Sequence, residues 1–256
     1  MNVSAENTPD YYRYEDINYA IVALLRGARG SYSESPTVLD IGCGRARLGL
    51  EIEGLGFKVT GLDNSPVACE VARQRITEVI ELDITNYSRV EQTLADRRFD
   101  FLMAADSLEH SLDPYGVLKF YRKFLKPNGY LVLSLPNVVV WDNRLRTLFG
   151  RFDYTDSGVM DRTHLRFFTF RSARQLVVDC GFAPEKSTFE PGIARAFLPV
   201  IKRFIGKGEQ SPGSILDSKA YGFYQQYLLP IEKVVTAVAP GLLAFRTVML
   251  ARLINS

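Results

Sequence analysis

The fold of this chain is decided by one stretch, Val38-Leu39-Asp40-Ile41-Gly42-Cys43-Gly44-Arg45-Ala46-Arg47-Leu48. The apolar residues before Gly42 are typical of a buried strand, and the residues after the glycines predict a helix. Gly42 and Gly44 allow positive φ angles and a close approach of the backbone to a ligand. The helix that follows presents backbone N–H groups and the positive end of its dipole. The stretch therefore predicts a site for a nucleotide-like cofactor.

The glycine spacing is similar to the fingerprint of dinucleotide-binding proteins, but it departs from it at one position. That fingerprint needs Gly or Ala at its third small position, where the helix packs closely on the strand. Arg47 stands at this position. An NAD-dependent oxidoreductase is therefore disfavoured and is kept as an alternative.

A better match is the pattern Asp-x-Gly-x-Gly-x-small, with Asp40 at the end of the strand and Ala46 in place of the third glycine. Three further motifs follow in order, namely Leu-Glu-His-x-x-Asp-Pro at 108–114, Leu-Lys-Pro-x-Gly at 125–129 and Ser-x-Pro-Asn at 134–137. With this ordered set the chain resembles the class I S-adenosylmethionine-dependent methyltransferases over roughly residues 36–137. The resemblance implies S-adenosylmethionine as cofactor and methyl transfer as activity.

The alternation of predicted strands and helices indicates right-handed crossovers and a parallel sheet. The resemblance implies an α/β fold with a Rossmann-like, seven-stranded, mostly parallel sheet, helices on both faces, an antiparallel last strand and a helical insertion before that strand. We expect a single domain over residues 1–256, which begins with a leading helix within residues 11–30. Its parts are a core at about 36–190 and 241–253, a lid segment at 141–168 and the helical insertion at about 192–240.

Acidic residues recur at the predicted carboxyl ends of the strands, where ligands of such sheets bind. Asp63, about 20 residues after the glycines, is placed to accept hydrogen bonds from a ribose diol. The resemblance implies that Asp83 and Ile84 contact adenine, although Asp83 is equally suited to cap the turn that follows it. The predicted cofactor-binding residues are Asp40, Gly42, Gly44, Asp63, Asp83, Ile84 and Asp106.

The lid segment is dense in arginine, aspartate and aromatic residues and is expected to project over the cofactor. Methyl transfer to a hydroxyl group needs a residue that removes the proton. His164 is the first candidate, because neutral imidazole suits proton transfer near pH 7, and His110 is the second. Asp106 and Glu109 are further candidates. Either histidine is alternatively structural, bonded to a backbone carbonyl or capping a turn.

Four arginines of the lid segment are predicted to bind a carboxylate or phosphate group of the acceptor, since guanidinium presents a planar fork of donors. They are Arg144, Arg146, Arg162 and Arg166. The alternative is pairing with the aspartates of the same segment. Similar segments occur in methyltransferase-like proteins associated with bacterial surface polysaccharides and in relatives that act on small metabolites, which suggests polysaccharide biosynthesis as one setting.

Composition narrows the function classes. The 256 residues carry a net charge of +2, so nucleic acid is not an expected partner. The first ten residues lack the pattern of a signal peptide, and no apolar run approaches the ~20 residues of a spanning helix, which predicts a cytoplasmic protein. Cys43, Cys69 and Cys180 are far apart in sequence, and we expect neither a disulfide nor a metal site.

A basic amphipathic stretch at 196–207 is suited to peripheral contact with an anionic membrane or a lipid-linked acceptor, and alternatively to packing on its own domain. Taken together, the sequence predicts S-adenosylmethionine-dependent methyl transfer to a small-molecule or sugar acceptor, most simply at an oxygen atom. The alternatives are a catalytically silent protein that binds the cofactor for regulation, and the NAD-dependent oxidoreductase. The acceptor and the oligomeric state do not follow from the sequence.

Overall fold

The computed structural model describes residues 17–192, 226–227 and 229–254. Residues 11–16 of the predicted leading helix and the basic stretch at 196–207 lie outside this part of the chain. Among the described residues, no helix is both long and apolar enough to cross a membrane.

Seven strands form one sheet in the described part of the chain, in the order β3-β2-β1-β4-β5-β7-β6. The first five run parallel to one another, and β7 is antiparallel to both β5 and β6. This confirms the predicted Rossmann-like sheet with an antiparallel last strand. The strands are β1 (Thr37–Ile41), β2 (Lys58–Asp63), β3 (Glu78–Glu81), β4 (Phe99–Ala105), β5 (Leu125–Pro136), β6 (Phe182–Pro191) and β7 (Ala244–Leu253).

Helices connect these strands, and several begin at caps that are visible in the sequence. Asp113 accepts a hydrogen bond from Gly116 N at 2.9 Å before a helix with proline at its first position. Thr169 and Ser172 form a reciprocal capping box. The helices are α1 (Tyr19–Arg29), α2 (Arg47–Glu53), α3 (Pro66–Ala72), α4 (Tyr87–Leu94), α5 (Pro114–Tyr121), α6 (Trp141–Leu148), α7 (Phe170–Asp179), α8 (Leu229–Val238) and α9 (Pro240–Leu243).

Two apolar clusters, one on each face of the sheet, form the core. Successive residues of a strand point to opposite faces, and in β1 Val38 belongs to one cluster whereas Leu39 belongs to the other. In β4 the alternation continues with Phe101 and Leu102. Because both faces are covered, β1 and β4 are mostly apolar along their length and do not alternate between apolar and polar residues.

The strand order indicates at which edge of the sheet a ligand binds. The chain winds outward from β1 in both directions, through β2 and β3 on one side and through β4 and β5 on the other. The carboxyl ends of β1 and β4 therefore flank a switch point, which is where ligands of open parallel sheets bind.

Candidate functional site

The loop after β1 has the backbone conformation that its glycines predict. Gly42 has φ +82° and Gly44 has φ +52°, and the N–H groups of Gly42 and Cys43 donate to Leu62 O at 2.8 and 2.9 Å. Ala46 also adopts a left-handed conformation, with φ +55°, although this costs a residue with a side chain about 1–2 kcal/mol. The alanine therefore takes the backbone shape that glycine would take.

Asp63, the last residue of β2, holds this loop in place. Its Oδ2 accepts a hydrogen bond from Gly44 N at 2.8 Å, and its Oδ1 accepts one from Ser65 N at 2.9 Å. Each carboxylate oxygen can accept a second hydrogen bond. The side chain therefore positions the loop and keeps acceptor capacity for a ligand.

Asp40 lies beneath the loop and is 3% exposed. Its Oδ1 accepts no hydrogen bond from any residue that the structure describes. Burial raises the pKa of Asp40 to about 8, and the nearby charge of Asp63 acts in the same direction. A buried carboxyl group without a partner is costly unless it is protonated or meets a cation.

Asp83 and Ile84 follow β3 on the far side of Asp63. Asp83 Oδ1 accepts hydrogen bonds from the backbone N–H and the hydroxyl of Thr85 at 2.8 and 2.7 Å, so this carboxylate caps the next turn, as one of the two sequence interpretations has it. Asp83 is exposed. Ile84 packs beside the core, and its carbonyl accepts the Tyr121 hydroxyl at 3.1 Å.

Asp106 stands immediately after β4 with φ +51°, a conformation that strains residues with a side chain and that occurs often at functional sites. Its Oδ1 accepts the Ser134 hydroxyl at 2.8 Å, and the same Ser134 oxygen accepts Asn18 Nδ2 at 3.0 Å. Its Oδ2 lies 3.2 Å from Arg246 Nη1. The carboxylate is therefore held directly by Ser134 of β5 and Arg246 of β7, and Asn18, the N-cap of α1, bonds the serine.

Sequence reasoning missed Arg246. This residue of β7 is 8% exposed and pairs with Asp106 and, at 3.4 Å, with Glu190 of β6. The available signal was a single arginine near the start of a strand that is otherwise mostly apolar, since buried arginines need partners. Arg246 supplies positive charge at the acidic edge of the sheet.

Three further side chains meet at the end of β4, and we refer to Glu109, His110 and His164 as the His–Glu cluster. Glu109 and His110 lie in a 3₁₀ turn, Leu108–His110, whereas His164 comes from the lid segment. One side-chain N or O atom of each residue lies within 4.8 Å of those of the other two. The two imidazole rings are edge to face, with centroids 4.9 Å apart.

Each imidazole of the cluster is oriented by the backbone. His110 Nδ1 lies 3.1 Å from Thr163 O, and His164 Nδ1 lies 3.1 Å from Val159 O. A carbonyl oxygen only accepts hydrogen bonds, so Nδ1 is the donor in both rings, and in the neutral form of a ring Nε2 then carries the lone pair. Both histidines thus make the backbone-carbonyl contact of the structural alternative, and their part in catalysis stays a prediction.

Glu109 is 1% exposed, and neither of its carboxyl oxygens has a hydrogen-bond partner among the described residues. Burial raises the pKa of Glu109 well above its ordinary value, and Asp106 raises it further. Burial also lowers the pKa of His164, with the neighbouring His110 acting in the same direction. Burial therefore favours the neutral forms of Glu109 and His164.

The lid segment is anchored directly on this turn. Glu109 O accepts the N–H groups of Leu165 and Arg166 at 2.8 and 3.0 Å, and Val138 N donates to Phe168 O at 2.8 Å. These backbone bonds bring His164 to the end of β4.

A family model for the methyltransferase domain matches residues 12–187, well over half of the chain. The chain belongs to the methyltransferase-domain family. This confirms the resemblance to class I S-adenosylmethionine-dependent methyltransferases and, at the level of the family, the predicted cofactor.

Known methyltransferases resemble the chain in sequence and in fold. The ubiquinone biosynthesis O-methyltransferase of Alkalilimnicola ehrlichii is 33% identical over 107 residues, which are 41% of this chain and 43% of that protein. The match thus spans less than half the length of this curated relative. A SAM dependent methyltransferase from Archaeoglobus fulgidus has a TM-score of 0.60 at 18% identity, over 95% of this chain and 99% of that one.

A second solved structure shares the fold. The 1,6-didemethyltoxoflavin-N1-methyltransferase of Burkholderia thailandensis, solved with its substrate and S-adenosylhomocysteine bound, has a TM-score of 0.55 at 18% identity. The likeness covers 96% of this chain and 82% of that one.

The loop and carboxylates of this methyltransferase-family chain fit S-adenosylmethionine. The cofactor carries an ammonium group, a sulfonium group and a ribose diol, and the site offers Asp40, Asp63 and Asp106. A Cβ atom on Gly44 would meet nothing within 4 Å, so there is open space over the loop. The unpartnered Oδ1 of Asp40 is suited to a positively charged group.

No side-chain contact that the structure shows brings the guanidinium groups of the four lid arginines to the His–Glu cluster. Arg162 pairs with Asp156 at 2.5 Å, and Arg144 donates to Val139 O at 2.6 Å and to Gly241 O at 3.2 Å. Arg166 lines an open cleft beside α5, and Arg146 is exposed on α6. Their role in acceptor binding stays a prediction.

Substituting Gly42 with Ala is expected to destabilise the protein more than substituting Gly44 with Ala. Both changes place a side chain at a positive φ, which costs about 1–2 kcal/mol. Only at Gly42 would the new Cβ also lie 2.8 Å from Ser107 Cβ. Urea unfolding of the two variants gives the comparison, and equal losses of unfolding free energy would contradict the close contact between the two loops.

Proposed function

We propose that this protein transfers the methyl group of S-adenosylmethionine to an oxygen atom of a small-molecule or sugar acceptor. The observation that carries the proposal is the pair of oriented imidazoles at the edge of the sheet where the glycine loop lies. The two sites are adjacent, because Gly42 leaves no room for a Cβ beside Ser107, two residues before Glu109.

Within this proposal, each acidic residue binds a different part of the cofactor. Asp63 accepts hydrogen bonds from the ribose diol, and Asp83 with Ile84 borders the adenine. Asp40, near the end of β1, and Asp106, directly after β4, attract the positively charged part of S-adenosylmethionine. The hydrogen bond that Gly44 N donates to Asp63 supports this assignment, since it fixes the carboxylate at the loop.

When bound, the cofactor supplies an electrophilic methyl group on its sulfonium. The acceptor hydroxyl must lose its proton as its oxygen takes the methyl group, and we assign the proton to Nε2 of His164, with His110 as the second candidate. The carbonyl of Val159 holds Nδ1 and so keeps Nε2 as the acceptor. Because His164 is only 7% exposed, water competes little for this nitrogen.

The curated relative supports oxygen as the methylated atom, because its name is that of an O-methyltransferase. The lid arginines support an acceptor with a carboxylate or phosphate group, as guanidinium binds such groups in a bidentate manner. A setting in polysaccharide biosynthesis in the cytoplasm is part of the same proposal and rests on the sequence alone.

A silent cofactor-binding protein is less well supported than an enzyme. Two features of the sequence favour it, namely Ala46 in place of glycine and the lack of a decisive catalytic base. Of these, Ala46 adopts the left-handed conformation of the loop. Only the glycine spacing favoured an NAD-dependent oxidoreductase, and the match to the methyltransferase-domain family accounts for that spacing without NAD.

Replacing His164 with Ala is expected to lower the turnover number by about 10²–10⁴-fold, the usual contribution of general base catalysis, with little change in S-adenosylmethionine binding. The measurement is transfer of a labelled methyl group to a panel of acceptors, sugars and phenols first, together with calorimetry of cofactor binding. The matched variant is His110→Ala, for which we expect a smaller loss. A fully active His164→Ala protein would refute the assignment.

A further inference from the structure

The sequence predicted no metal site, because its three cysteines are far apart and have no second Cys or His at metal-ligand spacing. The fold changes this conclusion by bringing His164 to Glu109 and His110. We infer that the His–Glu cluster is a binding site for a divalent ion of the zinc class, such as Zn²⁺ or Co²⁺, and that the bound ion withdraws both imidazoles from proton transfer.

The spacing of the cluster is the first support. Zinc binds nitrogen and oxygen atoms at about 2.0–2.2 Å, so two ligand atoms of one tetrahedral ion lie about 3.4 Å apart. The candidate atoms of Glu109, His110 and His164 lie within 4.8 Å of one another. A pair of these atoms 4.8 Å apart therefore needs a relative movement of about 1.4 Å, shared between two side chains, to reach this spacing.

The second support is the orientation of the rings. Histidines that bind a metal through one nitrogen almost always donate the other N–H to a carbonyl or a carboxylate. Both histidines of the cluster have this arrangement, through Thr163 O and Val159 O. Nε2 is thereby the nitrogen left with a lone pair in each ring.

The third support is independent of the histidines. Glu109 is almost completely buried, and both of its oxygens lack a partner among the described residues. Such a side chain is costly in a protein interior unless a proton or a cation compensates it. A metal ion held by the two imidazoles would meet this carboxylate.

The ligand types select the ion. Two imidazoles and one carboxylate suit zinc and similar transition ions, whereas Mg²⁺ and Ca²⁺ prefer sites made of oxygen atoms. Three protein ligands leave a fourth position for water or an anion.

This inference goes beyond the proposed function, since metal binding requires no acceptor and no methyl transfer. It has a consequence for that function, because an imidazole that donates its Nε2 lone pair to a metal no longer accepts a proton there. The bound ion is therefore expected to inhibit methyl transfer.

The test is calorimetric titration of the full, tag-free chain with ZnCl₂, in parallel with NMR of its imidazole groups. The chain contains only two histidines, so these signals report on the cluster alone. We expect one ion per chain, shifts of both imidazole signals, and at least a tenfold loss of affinity in His164→Ala and in Glu109→Gln. MgCl₂ at the same concentration is expected to leave the signals unchanged.

Three controls accompany the test. Thermal unfolding shows whether each variant is folded, and His110→Ala provides a second ligand deletion should Glu109→Gln fail to fold. Cys43→Ser is expected to bind zinc like the wild type, which separates the cluster from a thiol. The inference is overturned if zinc leaves the imidazole signals unchanged or if Mg²⁺ binds as tightly as zinc. It is also overturned if both single variants, His164→Ala and His110→Ala, bind zinc like the wild type.

Methyl transfer is measured separately, with and without a zinc chelator. A protein that binds zinc at the cluster but methylates nothing overturns the proposed function and leaves the metal site standing. A protein that transfers methyl groups but binds no zinc at the cluster overturns the metal site and leaves the proposed function standing. Activation of methyl transfer by zinc would overturn the inhibitory role.

Discussion

Replacing Asp63 with Ala is expected to weaken S-adenosylmethionine binding at least about 100-fold, or about 2.7 kcal/mol. Hydrogen bonds to charged groups contribute about 1.5–3 kcal/mol each, and the proposed ribose contacts use this carboxylate. The variant also loses the bonds from Gly44 N and Ser65 N that hold the loop. Both effects act on the cofactor site in the same direction.

The measurement is calorimetry with S-adenosylmethionine and S-adenosylhomocysteine. Glu81→Ala is the matched control, because Glu81 pairs in register with Asp63 on the neighbouring strand but lies exposed and bonded to Arg73. We expect the control to bind both ligands like the wild type. Unchanged affinity in folded Asp63→Ala would contradict the assignment of Asp63 to the cofactor site. If the folded wild type binds neither ligand, the glycine loop is not a site for this cofactor.

The parts of the site that follow directly after strands were accessible from the sequence. The positive φ angles of Gly42 and Gly44 and the position of Asp63 at the end of β2 follow from local rules of glycine geometry and parallel sheets. The fold class was accessible for the same reason, since the strands and helices alternate along the chain.

The remaining parts depend on contacts between distant segments, which residue types alone do not specify. His164 lies beside His110 where the backbone N–H groups of Leu165 and Arg166 bond to Glu109 O. Arg246 reaches Asp106 because β7 pairs next to β5 in the antiparallel sense. Neither contact leaves a periodic or motif-like signal.

Replacing Asp40 with Asn is expected to stabilise the cofactor-free protein, by an amount that grows with pH between about 4 and 8. The pKa of Asp40 is about 8 in the folded protein and close to its ordinary value, about 3.9, in the unfolded chain. Between these values the unfolded state loses the proton while the folded state keeps it. Each pH unit in this window therefore lowers the stability of the wild type, by up to about 1.4 kcal/mol.

Urea unfolding of wild type and Asp40→Asn at pH 5, 6, 7 and 8 measures this difference, and it should level off above about pH 8. Asp96→Asn, which removes an exposed carboxylate, controls for the loss of one surface charge. The same change is expected to weaken S-adenosylmethionine binding, because the ionised form of Asp40 attracts the positive cofactor. A stability difference that does not vary with pH would show that Asp40 is ionised in the folded protein, whereas stronger cofactor binding by Asp40→Asn would show that its charge does not serve the cofactor.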